Sequence, residues 1–345
     1  MSTPAPSGPT GAQAPLRTIV CFGEALIDFF AQPVATPDTP RSFVQHAGGA
    51  PANVAVAVAR LGAPAQFIGA LGADMFGDFL LESLRVAGVA TDHVVRTDAA
   101  RTALAFVAID HEGERSFSFY RPPAADLLFR AGDFAEGFLA GAGAFHVCSN
   151  SLTGEPAAGA TLQGMQLARE AGVLVSMDLN LRPMLWPRDA DPRPLLWQAL
   201  ARADVVKLAR NELEYLADGG EERAVISRLL QGAARWVVIT DGPGPIRWYA
   251  GAGEGELSSP RVKAIDTTAA GDAFVGGLLF DLVRSGIDAA ALDDFLGDRD
   301  AVEGALRFAA SVGAIAVTRN GAFAAMPGLG DVQQLLKEHY EDVAR

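Results

Sequence analysis

The chain has 345 residues, half of them hydrophobic, enough to bury a substantial core in one large domain or two ordinary ones. Its 28 basic against 41 acidic side chains leave a formal net charge of -13, which argues against nucleic-acid and anionic-membrane partners but leaves room for a local pocket that binds a small anion. No apolar run approaches the roughly 20 residues needed to cross a bilayer.

Residues 1–16, rich in Pro, Ala, Ser, Gly and Thr, lack the basic and apolar regions of a signal peptide and are expected to form a disordered tail. From Arg17 onward short apolar runs alternate with amphipathic ones: RTIVCFG, PANVAVAVARLG, AQFIGALG and DFLLESLRVAG, and later AFHVCS, ATLQGMQLAREAG, VLVSMDLN, ADVVKLA, ERAVISRLLQGA and WVVIT. This alternation predicts parallel strands joined by crossover helices, an α/β sheet covered on both faces. Cys21 and Cys148 lie in two of the strand-like runs and read as buried free thiols of a reducing compartment, so a cytoplasmic protein is expected. Two stretches break the pattern. Residues 29–46 carry few helix signals, and residues 94–120 alternate around the turn signal Asp110-His111-Glu112-Gly113. The second predicts an inserted hairpin, either an edge addition or a small β lid over a cleft.

Four segments carry candidate chemistry. In GEALIDFF, Asp28 stands in apolar surroundings, where it is either a turn residue or an acceptor for hydroxyl donors. In AGGAPANVAVAVARLG (47–62), Gly48 and Gly49 permit close backbone approach, Pro51 suits the first helical turn and Gly62 the stop; Asn53 offers a donor and an acceptor early in the helix. DTTAAGDAF (266–274) opens a helix near Gly271. Ala269, Ala270 and Gly271 carry no bulk, so an anion can reach the unsatisfied N–H groups and the positive end of the helix dipole. Asp272 in that first turn is either a helix cap or a proton acceptor beside the anion site. In KLARNELEYL, Asn211 followed by acidic residues reads on its own as an ordinary helix N-terminus.

The five histidines show no metal-ligand spacing. The absence of G-x-x-x-x-G-K-[ST] excludes a P-loop kinase, and the absence of G-x-G-x-x-G after the first strand argues against a dinucleotide-binding dehydrogenase.

AGGAPANVAVAVARLG and DTTAAGDAF together resemble the paired signatures of the ribokinase-like (PfkB) carbohydrate kinases, and the sequence between them is most similar to the fructokinase branch. The resemblance runs from about Arg17 to Met326 and includes, in order, GEALIDFF, ARTALAFVAID, FYRPPAADLLF, DLNLRPMLWP and VTRNGA. It implies a ribokinase-like three-layer α/β/α sandwich with a mostly parallel central sheet over residues 17–335, a small β-sheet lid from about 29–46 and 94–120, and a C-terminal tail at 336–345. It also implies phosphorylation of D-fructose to fructose 6-phosphate, with ATP and Mg2+ as cofactors. A 2-keto-3-deoxygluconate kinase or another relative such as ribokinase is the alternative enzyme, and a catalytically silent sugar-binding regulator the alternative outside enzymology.

Residue by residue, the resemblance makes Asp272 the general base and Ala269, Ala270 and Gly271 the anion hole, with Ala269 departing from the commoner glycine. Asp28, Gly48, Gly49 and Asn53 match sugar contacts. Arg121 and Arg182, on pattern alone salt-bridged rim residues, become contacts to substrate or transferred phosphate, or a carboxylate clamp for an acid sugar. Asn211 and Glu214 match an N-x-x-E that organises Mg2+-bound water and phosphate. Thr240, Asp241, Gly242 and Gly271 match nucleotide contacts, although Pro243 and Pro245 alter the usual loop. Ala310 stands where relatives often carry a polar residue near adenine. Asp266, Thr268, Ala316, Arg319 and Gly321 align with a monovalent-cation site, implying K+. The lid strands also permit a homodimer through the lid.

Overall fold

The computed structural model describes residues 15–32, 40–109, 115–121 and 123–341. Among them the strands are β1 (Thr18–Phe22), β2 (Leu26–Ala31), β3 (Phe43–Gly48), β4 (Ala65–Gly72), β5 (Val89–Ala90), β6 (Val94–Thr97), β7 (Leu104–Ile109), β8 (Arg115–Tyr120), β9 (Ala142–Cys148), β10 (Leu174–Asp178), β11 (Val205–Ala209), β12 (Trp236–Thr240), β13 (Ile246–Ala250) and β14 (Gly253–Leu257). The larger sheet has the order β14-β13-β12-β11-β10-β9-β1-β4-β5, with β6 also paired to β4. Its pairings from β12 to β5 are parallel, and β13 and β14 close one edge in antiparallel register.

Both faces of this sheet are covered, and β1 shows why its run is continuously apolar. Successive strand residues point to opposite faces: Ile19 and Cys21 join one core cluster, Val20 and Phe22 the other. The first cluster takes in the helices Ala50–Leu61, Ala270–Arg284 and Arg299–Ala316; the second takes in Ala157–Glu170, Arg193–Leu200 and Glu222–Gln231. Cys21 and Cys148 are both buried and free, and burial pushes both thiols up. No described helix is long and apolar enough to cross a membrane.

The smaller sheet has the order β3-β2-β7-β8 and forms the β lid. The structure corrects the expected hairpin boundary. Val94–Thr97 pairs in parallel with β4 of the main sheet, Gly69 against Val94, so the lid begins at Leu104. The reason is local register: the four-residue strand β6 follows β5 along the same edge of β4 and pairs with Gly69–Gly72, beyond the Ala65 and Gln66 that β5 covers, before the chain reaches the lid. The turn signal at 110–113 lies outside the described residues, as do 33–39 in the other lid segment. At the ends of the chain, Leu16 packs on the first core cluster, and Lys337–Glu341 continues the helix Leu329–Leu336 as a π-helical turn where a tail was expected; residues 1–14 and 342–345 lie outside the described residues.

Candidate active site

The C-terminal ends of the parallel strands converge on Asp272. Its helix, Ala270–Arg284, starts there, and Asp272 lies buried in the first turn. The Asn53 amide, near the start of the helix Ala50–Leu61, donates from Nδ2 to Oδ2 of Asp272 at 2.7 Å, and Asn180 donates from Nδ2 to Oδ1 at 3.3 Å. Burial pushes the Asp272 carboxyl up to about 7; the bond from Asn53 opposes that rise, Asp178 adds to it, and Arg182 and Lys207 oppose it. Asn53 Oδ1 is buried without a partner among the described residues, an acceptor left for a hydroxyl.

Beside Asp272 lies an ion pair. Parallel pairing of β10 with β11 sets Asp178 opposite Lys207, and Nζ of Lys207 donates to Oδ2 of Asp178 at 3.1 Å, both side chains buried. A Cβ at Gly271 would lie 3.1 Å from that Nζ, so the glycine brings the helix N-terminus against the ammonium. Burial alone would lower Lys207, but Asp178, Glu212 and Asp272 hold it above the usual lysine range. Glu212 accepts the Leu181 and Ala209 amides at 2.7 Å each and so fastens the loop bearing Asn180 and Arg182 to the helix Arg210–Ala217. Ala269, the residue before the catalytic helix, is left-handed at φ 57°. That conformation costs an L-residue about 1–2 kcal/mol, a cost that a glycine there would not carry. The Ala270 amide reaches the Thr267 carbonyl only at 3.4 Å.

Asp28 faces the same cleft from the lid. Burial pushes it up to about 7, and the charges of Asp272 and Asp266 add to the rise. Gly48 makes room for it: a Cβ there would stand 2.3 Å from Asp28 Oδ2. Gly49 precedes the Asn53 helix at φ 107°, within 2.5 Å of the Glu24 carbonyl were a Cβ added. Asp28, Gly48, Gly49, Asn53, Gly271 and Asp272 are therefore brought together as their motifs imply.

The two arginines separate. Arg182 is exposed, its guanidinium donates to its neighbour Leu181's carbonyl at 3.3 Å, and its charge reaches Asp272. Arg121 is 1 % exposed and belongs to the interior: Nε and Nη2 donate to Asp126 at 2.8 and 2.5 Å, Nη2 to the Asn150 carbonyl at 2.8 Å and Nη1 to Thr153 at 3.0 Å. This corrects both sequence readings of Arg121, since it is neither a rim residue nor open to substrate; four internal hydrogen bonds absorb a buried guanidinium that water cannot reach.

On the nucleotide side, Asn211 and Glu214 are exposed on the helix Arg210–Ala217. Arg210 spans the opening, pairing with Glu214 and with Asp241 at 3.2 Å each. Thr240 ends β12, Gly242 is left-handed at φ 52°, and Gly244 donates to the Asp241 carbonyl at 2.7 Å, closing the proline-flanked turn. Ala310 is buried in Arg299–Ala316. Asp266 ties two loops together, accepting the Thr268 amide at 2.7 Å and the Gly321 amide at 3.0 Å, while Arg319 pairs with Asp331 at 2.9 Å and its amide donates to the Ala316 carbonyl at 3.1 Å.

Sequence reasoning missed Asp178, Asn180, Lys207 and Glu212. The available signal was a lone charge inside each of two apolar strands, Lys207 in VVKLA and Asp178 in LVSMD, where an unpaired charge is expensive to bury.

Residues 16–328 match the pattern of the pfkB family of carbohydrate kinases. The chain belongs to that family. It is accordingly a phosphotransferase acting on a sugar hydroxyl. It is 41% identical over 323 residues to fructokinase-1 of Zea mays, covering 93% of this chain and 98% of the relative. The crystal structure of a fructokinase with bound ATP from Xylella fastidiosa is 56% identical, with a TM-score of 0.89 over 93% of this chain and 98% of that one. A Vibrio cholerae fructokinase in fructose, ADP and calcium ion bound form is 32% identical, with a TM-score of 0.82 over 93% of this chain and 99% of that one.

Proposed function

We propose that the chain transfers the γ-phosphoryl group of ATP to D-fructose, giving fructose 6-phosphate. The observation that carries this is the Asp272 carboxylate, gripped by Asn53 at a helix N-terminus beside Lys207. Asp272 accepts the proton of the attacking hydroxyl, and its elevated pKa of about 7 keeps it matched to neutral pH. The amides at Ala269, Ala270 and Gly271 face the phosphoryl oxygens, and Lys207 supplies positive charge behind them. Asp28, Asn53 and the backbone at Gly48 and Gly49 orient the sugar, with Asn53 Oδ1 as an open acceptor. Arg182 is the exposed guanidinium at the mouth.

Thr240, Asp241, Gly242 and Asn211 bound the nucleotide side. Glu214, exposed on the nucleotide side, would hold a Mg2+ ion through water. Such an ion would neutralise the negative charge of the nucleotide phosphates. A K+ site at Asp266, Thr268, Ala316, Arg319 and Gly321 belongs to this reading, supported by the Asp266 carboxylate that draws the 268 and 321 loops together. The aromatic lid face, with Phe43 and Tyr120 exposed around Phe106, supports a lid-to-lid homodimer, which light scattering would read as twice the chain mass. Buried free thiols support a cytoplasmic setting.

The fructose reading is favoured over the acid sugar because a carboxylate clamp needs two open arginines, and Arg121 is occupied. The test is ADP release with ATP and Mg2+ on D-fructose, D-ribose and 2-keto-3-deoxygluconate. Turnover on fructose well above the other two is expected; equal or greater turnover on either competitor would overturn the assignment, and none on any sugar would favour a silent binder.

A further inference from the structure

The polypeptide passes between core and lid at four places. It leaves β1 through Gly23-Glu24-Ala25, returns from β3 at Gly49-Ala50, leaves again at 98–103 and returns from β8 at Arg121. Three of these crossings meet in one buried network. Oε1 of Glu24 accepts the Ala50 amide at 3.2 Å and the Asn150 side-chain amide at 2.9 Å; Arg121 grips the Asn150 carbonyl at 2.8 Å, together with Asp126 and Thr153. Glu24 and Arg121 are each 1 % exposed.

We infer that Glu24, Asn150 and Arg121 form the hinge anchor of the lid and act as positioning residues for Asn53. Ala50 is the first residue of the helix on which Asn53 stands, and the Asn53 amide donates to the Gly49 carbonyl at 2.8 Å. Fixing Ala50 fixes the turn from which Asn53 reaches Asp272. The same carboxylate holds the strand that leads to Asp28, so one network sets the sugar-facing groups of the lid relative to the base on the core. The remaining crossing, at 98–103, has its own anchor, Asp74 accepting the Thr102 amide at 2.9 Å and its hydroxyl at 2.8 Å.

The inference rests on Asp272 as the base, and the experiment separates the two. Kinetics of Glu24→Ala, Glu24→Gln and Asn150→Ala are measured beside Asp272→Asn, together with hydrogen exchange of 104–109 with and without fructose. Loss of the Glu24 acceptor lowers kcat on the order of tenfold or more by displacing Asn53, raises KM for fructose and leaves KM for ATP unchanged. Glu24→Gln keeps the Oε1 acceptor and rescues most of the loss, while 104–109 exchanges faster in Glu24→Ala even with sugar bound. A merely structural role would lower the active fraction and move neither KM. If Glu24→Ala fails to fold, Asn150→Ala removes the side-chain donor to Glu24 and so loosens the carboxylate that holds Ala50, while leaving the Asn150 carbonyl that Arg121 grips. Wild-type kinetics and exchange in a folded Glu24→Ala or Asn150→Ala variant overturn the anchor. Full turnover by Asp272→Asn removes the base reading, and the exchange of 104–109 still decides the anchor.

Discussion

Asp272 and Glu214 sit on helices that start at the same end of the main sheet, and burial suits them to the opposite tasks proposed above. Asp272 is sealed in, held by Asn53 and Asn180 and pushed up to about 7, so it can take and release a proton near neutrality. Glu214 is exposed and paired with Arg210 on the rim, where an ion pair is worth little and water is at hand. The contrast extends to their surroundings: the base side is closed by the lid and by a buried ion pair, whereas the nucleotide side is bounded by an open turn at Asp241 and Gly242. A proton acceptor needs a desolvated, fixed carboxylate; a group acting on a hydrated metal needs a wet one.

The comparison breaks most readily at Asp272. Asp272→Asn is expected to lower kcat roughly 10²–10⁴-fold, the usual worth of a positioned general base, with circular dichroism unchanged. Asp272→Asn with turnover close to wild type would place both carboxylates in supporting roles. The next effect in size is at Glu214. Glu214→Gln is expected to raise the Mg2+ concentration for half-maximal rate severalfold and leave KM for fructose unchanged; a change in sugar KM with no change in Mg2+ demand would erase the distinction between the two sides.

The smallest effect is on stability. Asp28 and Asp272 bind protons more tightly folded than unfolded, so between the ordinary carboxylate range and about 7 the folded state holds more protons and stability falls as pH rises. Asp28→Asn and Asp272→Asn are therefore expected to melt higher than wild type at pH above 7 and to lose that advantage in acid. Glu214→Gln gives no such crossover. Melting curves at the two pH values check this, and parallel shifts in all three variants would contradict it.

Much of the fold and the core of the site were legible because they depend on local pattern. The continuous apolar runs of β1, β9 and β12 announce parallel strands, and the small residues before Asp272 announce a helix N-terminus. What escaped depends on register. Asp178 and Lys207 meet because β10 and β11 pair in parallel, a contact that spacing along the chain does not reveal. Arg121 was misread for the complementary reason: its loop motif suggests access, and only the packed structure shows Asp126 and Asn150 around it. Val94–Thr97 carried a lid-like alternation because a main-sheet edge strand and a lid strand obey the same period of two.

The central claim, a desolvated Asp272 as the proton acceptor, is tested most directly by kcat at saturating fructose against pH in the wild type and in Asp272→Asn, since saturation sets aside the titration of Asp28 in the unliganded cleft. The structure predicts an acid limb with a midpoint near 7 in the wild type and a low, limb-free residual rate in the variant. An identical acid limb in both proteins would assign the proton acceptor to another group.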